Sequence, residues 1–202
     1  RLDQELNACI ESAYLVAPDG VGLLLAGKLL RQPLKQRVAG SDLVPRLCQL
    51  AASSGFRPFF LGAGPDIAMR AAQKLALQYT GLLIAGVHSG SPQPQDQEEI
   101  VRLVHAASPD ILFVAYGVPA EEKWIAGNLK QLAVPLAIGV GGSFDFIAGI
   151  VPRAPRRMQQ LGLEWLYRLY RQPWRWRRML ALPHFLLLVF AEALASRLRW
   201  HR

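Results

Sequence analysis

Residues 58–79 read PFFLGAGPDIAMRAAQKLALQY, and this stretch decides the fold class. It opens with a short apolar run, Pro58–Leu61, which leads into a turn of glycine, proline and aspartate at 62–66. A helical pattern follows over Asp66–Tyr79, with Pro65 near the first turn, where proline is favoured. Strand, turn and helix in this order predict one unit of an α/β fold.

The same order recurs along residues 1–150. Other short apolar runs predict buried strands at Ala13–Ala17, Leu82–Val87, Ile111–Ala115 and Leu136–Val140. Helical patterns predict helices at Val21–Leu30, Ser41–Ser53 and Gln95–Ala107. This alternation predicts a Rossmann-like, mainly parallel sheet with helices on both faces. In such a sheet the ligand site lies at the carboxyl ends of the strands, where the turns collect.

The composition changes after Val151. Residues 151–202 hold eleven arginines, no lysine and two glutamates, a net charge of +9, whereas residues 1–150 sum to −1. An apolar run, Phe185–Ala195, accompanies the arginines and tryptophans but is shorter than the about 20 residues that span a membrane. Arginine and tryptophan beside an apolar helix are typical of an element lying in a membrane interface.

Two domains follow from this contrast. We predict a catalytic core at 1–150 and a helical membrane-binding appendage at 151–202, the alternative being a helical pair packed on the sheet. The chain of 202 residues is 51% hydrophobic and 19% charged, which excludes disorder. It starts at Arg1 rather than methionine, so we expect the core to lack some N-terminal residues.

Glycine turns predict a phosphate-binding edge of the sheet. GVGGSFD at 139–145 is not GxGxxG, because Phe144 stands at the third glycine position, and GxxxxGK[ST] is absent. Amides of glycine turns can still hold a diphosphate, although tight-turn geometry explains the glycines equally well. The candidate substrate-binding residues are Gly62, Gly64, Gly117, Gly141 and Gly142, with Glu122 and Asp145 at the same edge.

Asp19 and Arg37 are candidates for acid–base and phosphate chemistry. Asp19 follows a predicted strand, and a carboxylate there could deprotonate a hydroxyl, although its position alone favours a helix cap or turn. Arg37 could pair with phosphate or with Asp19. The four histidines share no ligand spacing and no DxD pair occurs, so no metal site is predicted.

Several motifs together resemble a known family. They are PDGVG at 18–22, RVAGSDL at 37–43, FFLGAGP at 59–65, GVPAEEKW at 117–124, GVGGSFDFIAG at 139–149, RAP at 153–155 and GLEWLYRL at 162–169. In order and spacing these resemble the WecG/TagA/CpsF glycosyltransferases over essentially the whole chain.

The resemblance implies a bacterial inverting transferase that uses neither metal nor cofactor. Its substrates would be a UDP-sugar donor and an undecaprenyl-diphosphate-linked acceptor sugar. The sugar moved would be N-acetylmannosamine, its uronic acid or a hexose, in cell-surface polysaccharide or teichoic acid synthesis. The enzyme would be a peripheral membrane protein on the anionic cytoplasmic face of the inner membrane. The resemblance leaves open whether it forms a homo-oligomer. The family's general base falls on Asp19, its active-site arginine on Arg37, and its diphosphate-binding arginines on Arg168, Arg175 and Arg178.

Two positions depart from the family pattern. The family reads G-x-P-x-Q-E, but here Glu121 replaces the glutamine, followed by the expected Glu122. An ionised carboxylate only accepts hydrogen bonds and should repel a diphosphate, unless it is protonated or meets a sugar hydroxyl. Glu121 is therefore expected in the catalytic site as a determinant of sugar specificity. The family's TPN motif has no counterpart among the eighteen residues that precede Asp19.

Two other classes of protein are kept as alternatives. The basic, tryptophan-bearing tail could serve a nucleic-acid-binding module. The long aliphatic run Leu186–Phe190 argues against this and against a nucleic-acid partner. A nucleotide-cofactor enzyme on the same class of sheet is the other alternative, weakened by the incomplete glycine fingerprint.

Overall fold

The computed structural model describes residues 3–200, without the side chains at 175, 178 and 195–200. Within that range four parallel strands form one sheet in the order β2-β1-β3-β4. The strands are β1 (Pro58–Gly62), β2 (Gly86–His88), β3 (Ile111–Ala115) and β4 (Leu136–Gly139). Helices up to β4 are α1 (Gln4–Ser12), α2 (Val21–Leu29), α3 (Gly40–Ser54), α4 (Ile67–Gln78), α5 (Pro94–Ala107) and α6 (Ala120–Leu132). After β4 follow α7 (Ser143–Ala148), α8 (Arg156–Gln160), α9 (Glu164–Arg171), a 3₁₀ turn (Pro173–Arg175), α10 (Trp176–Met179) and α11 (Ala181–Trp200).

The two faces of the sheet carry separate apolar cores. Successive side chains of a strand point to opposite faces, so neighbours such as Phe59 and Phe60 enter different clusters. On one face Phe60 and Phe113 pack with residues of α3, α4 and α7, and their ring centroids lie 5.5 Å apart. On the other face Leu112 and its neighbours pack against α5 and α6. The prediction of a Rossmann-like parallel sheet with helices on both faces is confirmed.

The predicted strand at Ala13–Ala17 is wrong. This segment follows the end of α1, contains no strand, and leaves Tyr14 and Leu15 highly exposed. The edge strands of the sheet are β2 and β4, so the segment Ala13–Ala17 is not part of the sheet. Its apolar composition alone does not make it a strand. The strand predicted at Leu82–Val87 is also shorter than expected, because only Gly86–His88 pairs with β1.

The chain divides into two compact units. The first contains residues up to Val16 and Gly40–Pro152, which include the whole sheet. The second combines Ala17–Ala39 with the chain from Arg153 onward. The segment that carries Asp19 and Arg37 therefore groups with the arginine-rich end of the chain. The domain boundary at 150/151 stays a prediction.

The second unit is helical. In it α11 packs on α2, burying Val189 and Ala193 and bringing Phe185 against Gly22. Gly162 has φ +72°, and a Cβ there would lie 2.5 Å from Val21 Cγ2, so this turn requires glycine. In the described part of the chain, no helix combines the length and apolar character needed to cross a membrane.

Candidate active site

Glu121 joins two glycine turns at the carboxyl edge of the sheet. Its carboxylate accepts hydrogen bonds from the Gly117 amide, at 2.9 Å to Oε2, and from the Gly141 amide, at 3.0 Å to each oxygen. Both glycines have positive φ, a backbone conformation that glycine adopts without steric cost. A Cβ at Gly139 would lie 3.0 Å from Glu121 Cγ, so the β4 backbone also depends on glycine to approach. One carboxylate thus connects the loop after β3 with the loop after β4.

Burial controls the charge of Glu121. The residue is 2% exposed, and desolvation raises the pKa of its carboxyl to about 7. The Gly117 and Gly141 amides oppose this rise in pKa, and the charge of Glu122 adds to it. The single oxygen Oε2 of Glu121 accepts hydrogen bonds from both glycine amides. The carbonyl oxygen of a protonated carboxyl group, or of a glutamine side chain, can therefore make the same two bonds from that position. The two glycine amides that could cradle a phosphate are occupied by Glu121, whose proposed role in specificity stays a prediction.

We expect Glu121→Gln to remove a pH-dependent loss of stability. The pKa of the Glu121 carboxyl is raised in the folded state, so protonation of this group favours folding. The stabilisation is complete below pH about 4.5 and is lost as the pH rises through about 7. A shift of this size is worth on the order of 3 kcal/mol, so the variant should exceed wild type in unfolding free energy by a few kcal/mol at pH 8. Urea unfolding at pH 4.5, 6 and 8 measures the difference.

The matched control is Glu98→Gln, an exposed glutamate of α5. Its unfolding free energy should follow the wild-type curve at each pH. Equal pH dependence of wild type and Glu121→Gln would contradict the raised pKa.

Other polar groups at the same edge are placed to meet a ligand. The hydroxyl of Tyr116, directly after β3, and Oε2 of Glu122 are buried without hydrogen-bond partners among the described residues. Burial, and to a lesser extent the charge of Asp96, raises the pKa of Tyr116, so its phenol stays protonated and can donate. Buried polar groups normally have partners, so these atoms support a ligand site here.

The remaining residues predicted at this edge take turn positions. Gly62 has φ +96°, and a Cβ there would lie 2.9 Å from the Ala115 backbone, so its glycine is explained by packing. Gly64 packs on Ile67, Gly142 is the N-cap of α7, and Asp145 lies in the first turn of that helix. Their roles in binding substrate stay predictions.

Asp19 lies in the second unit, in the extended segment before α2. It does not follow a strand, which corrects the placement predicted from sequence, and its side chain is exposed. Gly20, rather than Asp19, is the N-cap of α2, so a capping role does not explain the aspartate. The Val38 amide donates to the Pro18 carbonyl at 2.8 Å, and this bond brings the backbone beside Asp19 next to that beside Arg37.

Arg37 is held by a residue that the sequence did not single out. Its Nη2 lies 2.6 Å from Glu164 Oε2, and the two side chains are 19% and 21% exposed. The other oxygen of Glu164 lies 3.5 Å from Arg153 Nη2, so one carboxylate joins two guanidiniums. Arg168 follows Glu164 by four positions on α9, on the same face of the helix. The side chains of Arg175 and Arg178 lie outside the described residues.

The predicted site residues thus fall into two groups. Asp19, Arg37 and Arg168 belong to the second unit, whereas Glu121, Glu122, Asp145 and the candidate glycines belong to the first. Sequence reasoning missed Glu164 and Arg153. The charge pattern could have pointed to Glu164, because it is one of only two acidic residues among the eleven arginines of residues 151–202. In the described residues no three His, Cys, Asp or Glu side chains lie close enough to hold a metal ion.

Comparison with known proteins identifies the class. The sequence profile described as "Glycosyl transferase WecG/TagA/CpsF family" matches residues 1–199. The chain therefore belongs to the WecG/TagA/CpsF family and is a glycosyltransferase. The match covers both units, which favours this class over a nucleic-acid-binding module or a nucleotide-cofactor enzyme.

Two relatives from Bacillus support the assignment. Both are named N-acetylglucosaminyldiphosphoundecaprenol N-acetyl-beta-D-mannosaminyltransferase. The protein of Bacillus subtilis (strain 168) is 36% identical over 190 residues, which are 94% of this chain and 73% of the relative. That of Bacillus spizizenii (strain ATCC 23059 / NRRL B-14472 / W23) is 37% identical with the same coverage.

Proposed function

We propose that this chain transfers N-acetylmannosamine, or a closely related sugar, from a UDP donor to a sugar on undecaprenyl diphosphate. The names of the two Bacillus relatives support the transferred sugar and the lipid-linked acceptor. The observation that carries the mechanism is in the second unit. There the Pro18–Val38 hydrogen bond joins the backbone next to a candidate base, Asp19, to the backbone next to Arg37, which is anchored to α9.

The proposed reaction is a single displacement. Asp19 takes the proton of the acceptor hydroxyl while the hydroxyl oxygen forms a bond to the anomeric carbon. The bond from that carbon to the diphosphate oxygen breaks, and UDP leaves with the electron pair. Arg37 and Arg168 supply positive charge where negative charge develops on the leaving diphosphate. Attack opposite the leaving group inverts the anomeric configuration.

A panel of donors tests the proposal. Purified protein is incubated with each of several UDP-sugars and a short-chain prenyl-diphosphate-linked N-acetylglucosamine, and products are identified by mass spectrometry. We expect a product heavier by one N-acetylhexosamine with UDP-N-acetylmannosamine. Transfer from no UDP-sugar, under conditions in which a Bacillus relative is active, would contradict the proposed function.

The second unit is proposed to bind the cytoplasmic face of the membrane. On α11, Leu187, Phe190 and Leu194 are exposed, whereas Val189 and Ala193 are buried. Exposed Trp174 and Trp176 precede this helix, and the Arg177 guanidinium lies 5.6 Å from the Trp176 ring. An apolar helix face with tryptophan and arginine beside it fits an anionic lipid interface.

We expect the double variant Leu187→Ser/Phe190→Ser to lose vesicle binding. Burying each of these side chains in lipid is worth about 1.5–3 kcal/mol at most, so partial insertion predicts at least about a tenfold weaker partition coefficient. Sedimentation with vesicles of phosphatidylglycerol and phosphatidylethanolamine measures it. The control is Leu77→Ser/Leu83→Ser, a pair of exposed leucines in the first unit, which should bind as wild type does. Equal losses in both double variants would refute a dedicated membrane face.

A further inference from the structure

The order of the strands points to a ligand crevice between β1 and β3. The chain runs from β1 outward to β2, and then returns past β1 to add β3 and β4 on the other side. In open parallel sheets, ligands bind at the carboxyl ends of the two strands where the direction of winding reverses. Here those ends are joined, because the Ala63 amide donates to the Ala115 carbonyl at 2.9 Å. The loop after β3, residues 116–119, therefore forms one wall of the crevice.

Glu121 holds this wall in place. Its backbone amide donates to the Gly117 carbonyl at 3.1 Å, and its carboxylate accepts from the Gly117 amide at 2.9 Å. The same carboxylate accepts from the Gly141 amide, which lies 20 positions further along the chain in the loop after β4, residues 140–142. Backbone amides that lose a buried acceptor cost free energy, so the loops are tied to each other through this side chain.

We propose that Glu121 is a positioning residue for the UDP part of the donor, and that it acts by holding the loops after β3 and β4 at a fixed separation. This inference rests on the proposed function and deepens it. Because Glu121 is 2% exposed, a ligand in the crevice would meet the two loops rather than the carboxylate itself. Its effect on binding therefore passes through the loops and through its charge.

The surroundings of Glu121 favour its neutral form. Neither β3 nor β4 contains a charged residue. Charged side chains lie on α6 and on the two helices packed against it: Glu122 and Lys123 on α6, Asp3 and Glu5 at the start of α1, and Asp96 on α5. Lys123 pairs with both acids of α1, at 2.9 Å and 2.7 Å, and Asp96 acts on Tyr116. Burial is the main cause of the raised pKa of Glu121, and the charge of Glu122 adds to it.

The charge of Glu121 should oppose binding of UDP. An ionised carboxylate behind the loops repels a diphosphate, and a partly buried site screens this repulsion less than water does. A neutral carboxyl group keeps its acceptor oxygen for the two glycine amides and removes the repulsion. We therefore expect affinity for UDP to fall as the pH rises through about 7.

Calorimetric titration of the full chain with UDP at pH 6 tests the positioning role. At this pH Glu121 is mostly neutral, so replacing it changes hydrogen bonds rather than charge. Glu121→Ala leaves the Gly117 and Gly141 amides without their acceptor, and the Kd for UDP should rise by about tenfold or more, because the loops must be ordered on binding. Glu121→Gln can keep both bonds and should restore the wild-type Kd at pH 6.

Leu132→Ala is the control for a general loss of stability. Leu132 lies at the other end of α6 and is 1% exposed, so its truncation should lower the thermal midpoint without touching either loop. Its Kd for UDP should equal that of wild type. An equal rise of Kd in Leu132→Ala and Glu121→Ala would overturn the inference and assign Glu121 a purely structural role.

The pH profile of UDP binding tests the effect of charge. At pH 8, one unit above the pKa of about 7, about a tenth of the wild-type protein carries neutral Glu121. The wild-type Kd should then exceed that of Glu121→Gln by up to about tenfold, whereas the two agree at pH 6. Taking the ratio at each pH cancels the titration of UDP itself. Glu98→Gln, an exposed variant of α5, should follow wild type at both pH values.

Hydrogen exchange of wild-type protein keeps the inference testable if Glu121→Ala fails to fold. UDP should slow amide exchange in residues 116–119 and 140–142 together, because one side chain joins the two loops. Unchanged exchange at 116–119, or a Kd for Glu121→Ala within about twofold of wild type at pH 6, would overturn the inference. These measurements need no turnover. Protein that bound UDP but transferred no sugar would contradict the proposed function alone, and protein that bound no UDP would contradict both.

Discussion

Replacing Asp19 by asparagine is expected to lower kcat for sugar transfer by about 100- to 10,000-fold, the range typical of a lost general base. Asparagine has nearly the same shape as aspartate but cannot take the proton of the acceptor hydroxyl. Because Gly20 is the N-cap of α2, the substitution should not uncap that helix, and thermal unfolding should change little. Initial rates of UDP release at saturating donor and acceptor measure the effect.

The control for this variant is Asp110→Asn. Asp110 directly precedes β3, at the amino end of the sheet, and its Oδ2 accepts from the Arg57 amide at 2.7 Å. Asparagine can keep that bond through its side-chain oxygen, so this variant should retain both fold and rate. A kcat for Asp19→Asn within about threefold of the control would exclude Asp19 as the base, since base catalysis supplies far more.

The second large effect is expected at Arg168. Replacing it by alanine should lower kcat by about 100- to 1,000-fold, the cost typical of losing one group that stabilises charge in the transition state. The effect should appear in kcat more than in KM, because the charge on the diphosphate grows as UDP departs. Measurements with a water-soluble short-chain acceptor separate this loss from any change in membrane binding.

Arg171 supplies the matched comparison on the same helix. It is exposed and lies near the end of α9, so Arg171→Ala removes the same charge from α9 at a different place. Its kcat with the soluble acceptor should stay near wild type. Equal losses in both variants would mean that overall charge, rather than Arg168 itself, supports turnover.

Sequence patterns predicted the two central strands well because these strands are short, buried along their whole length and followed by glycine turns. β1 and β3 are central strands with both faces covered, so every residue of their runs is buried. The run at Ala13–Ala17 has the same apolar composition, yet it lies outside the sheet. An apolar composition shows only that a segment is suited to burial. The segment becomes a strand of the sheet only when it pairs with a neighbouring strand.

The candidate site could be predicted only in part. Resemblance to the family pointed to Asp19, Arg37 and Arg168, and the structure places all three in one unit. The contact from Arg37 to Glu164 could not be foreseen, because it joins positions separated by 127 residues. Glu121 was expected in the catalytic site as a determinant of sugar specificity. Its actual partners are backbone amides, which have no sequence signature of their own.

The long separation between Arg37 and Glu164 also sets an order of events in the cell. At a synthesis rate of about 5–20 residues per second, Glu164 is added about 6–25 s after Arg37. The sheet and the residues up to Pro152 are complete before the partners of Ala17–Ala39 have left the ribosome. The segment bearing the proposed base and its neighbouring arginine therefore waits for the last quarter of the chain. A nascent transferase cannot complete this part of its site until α9 has been made.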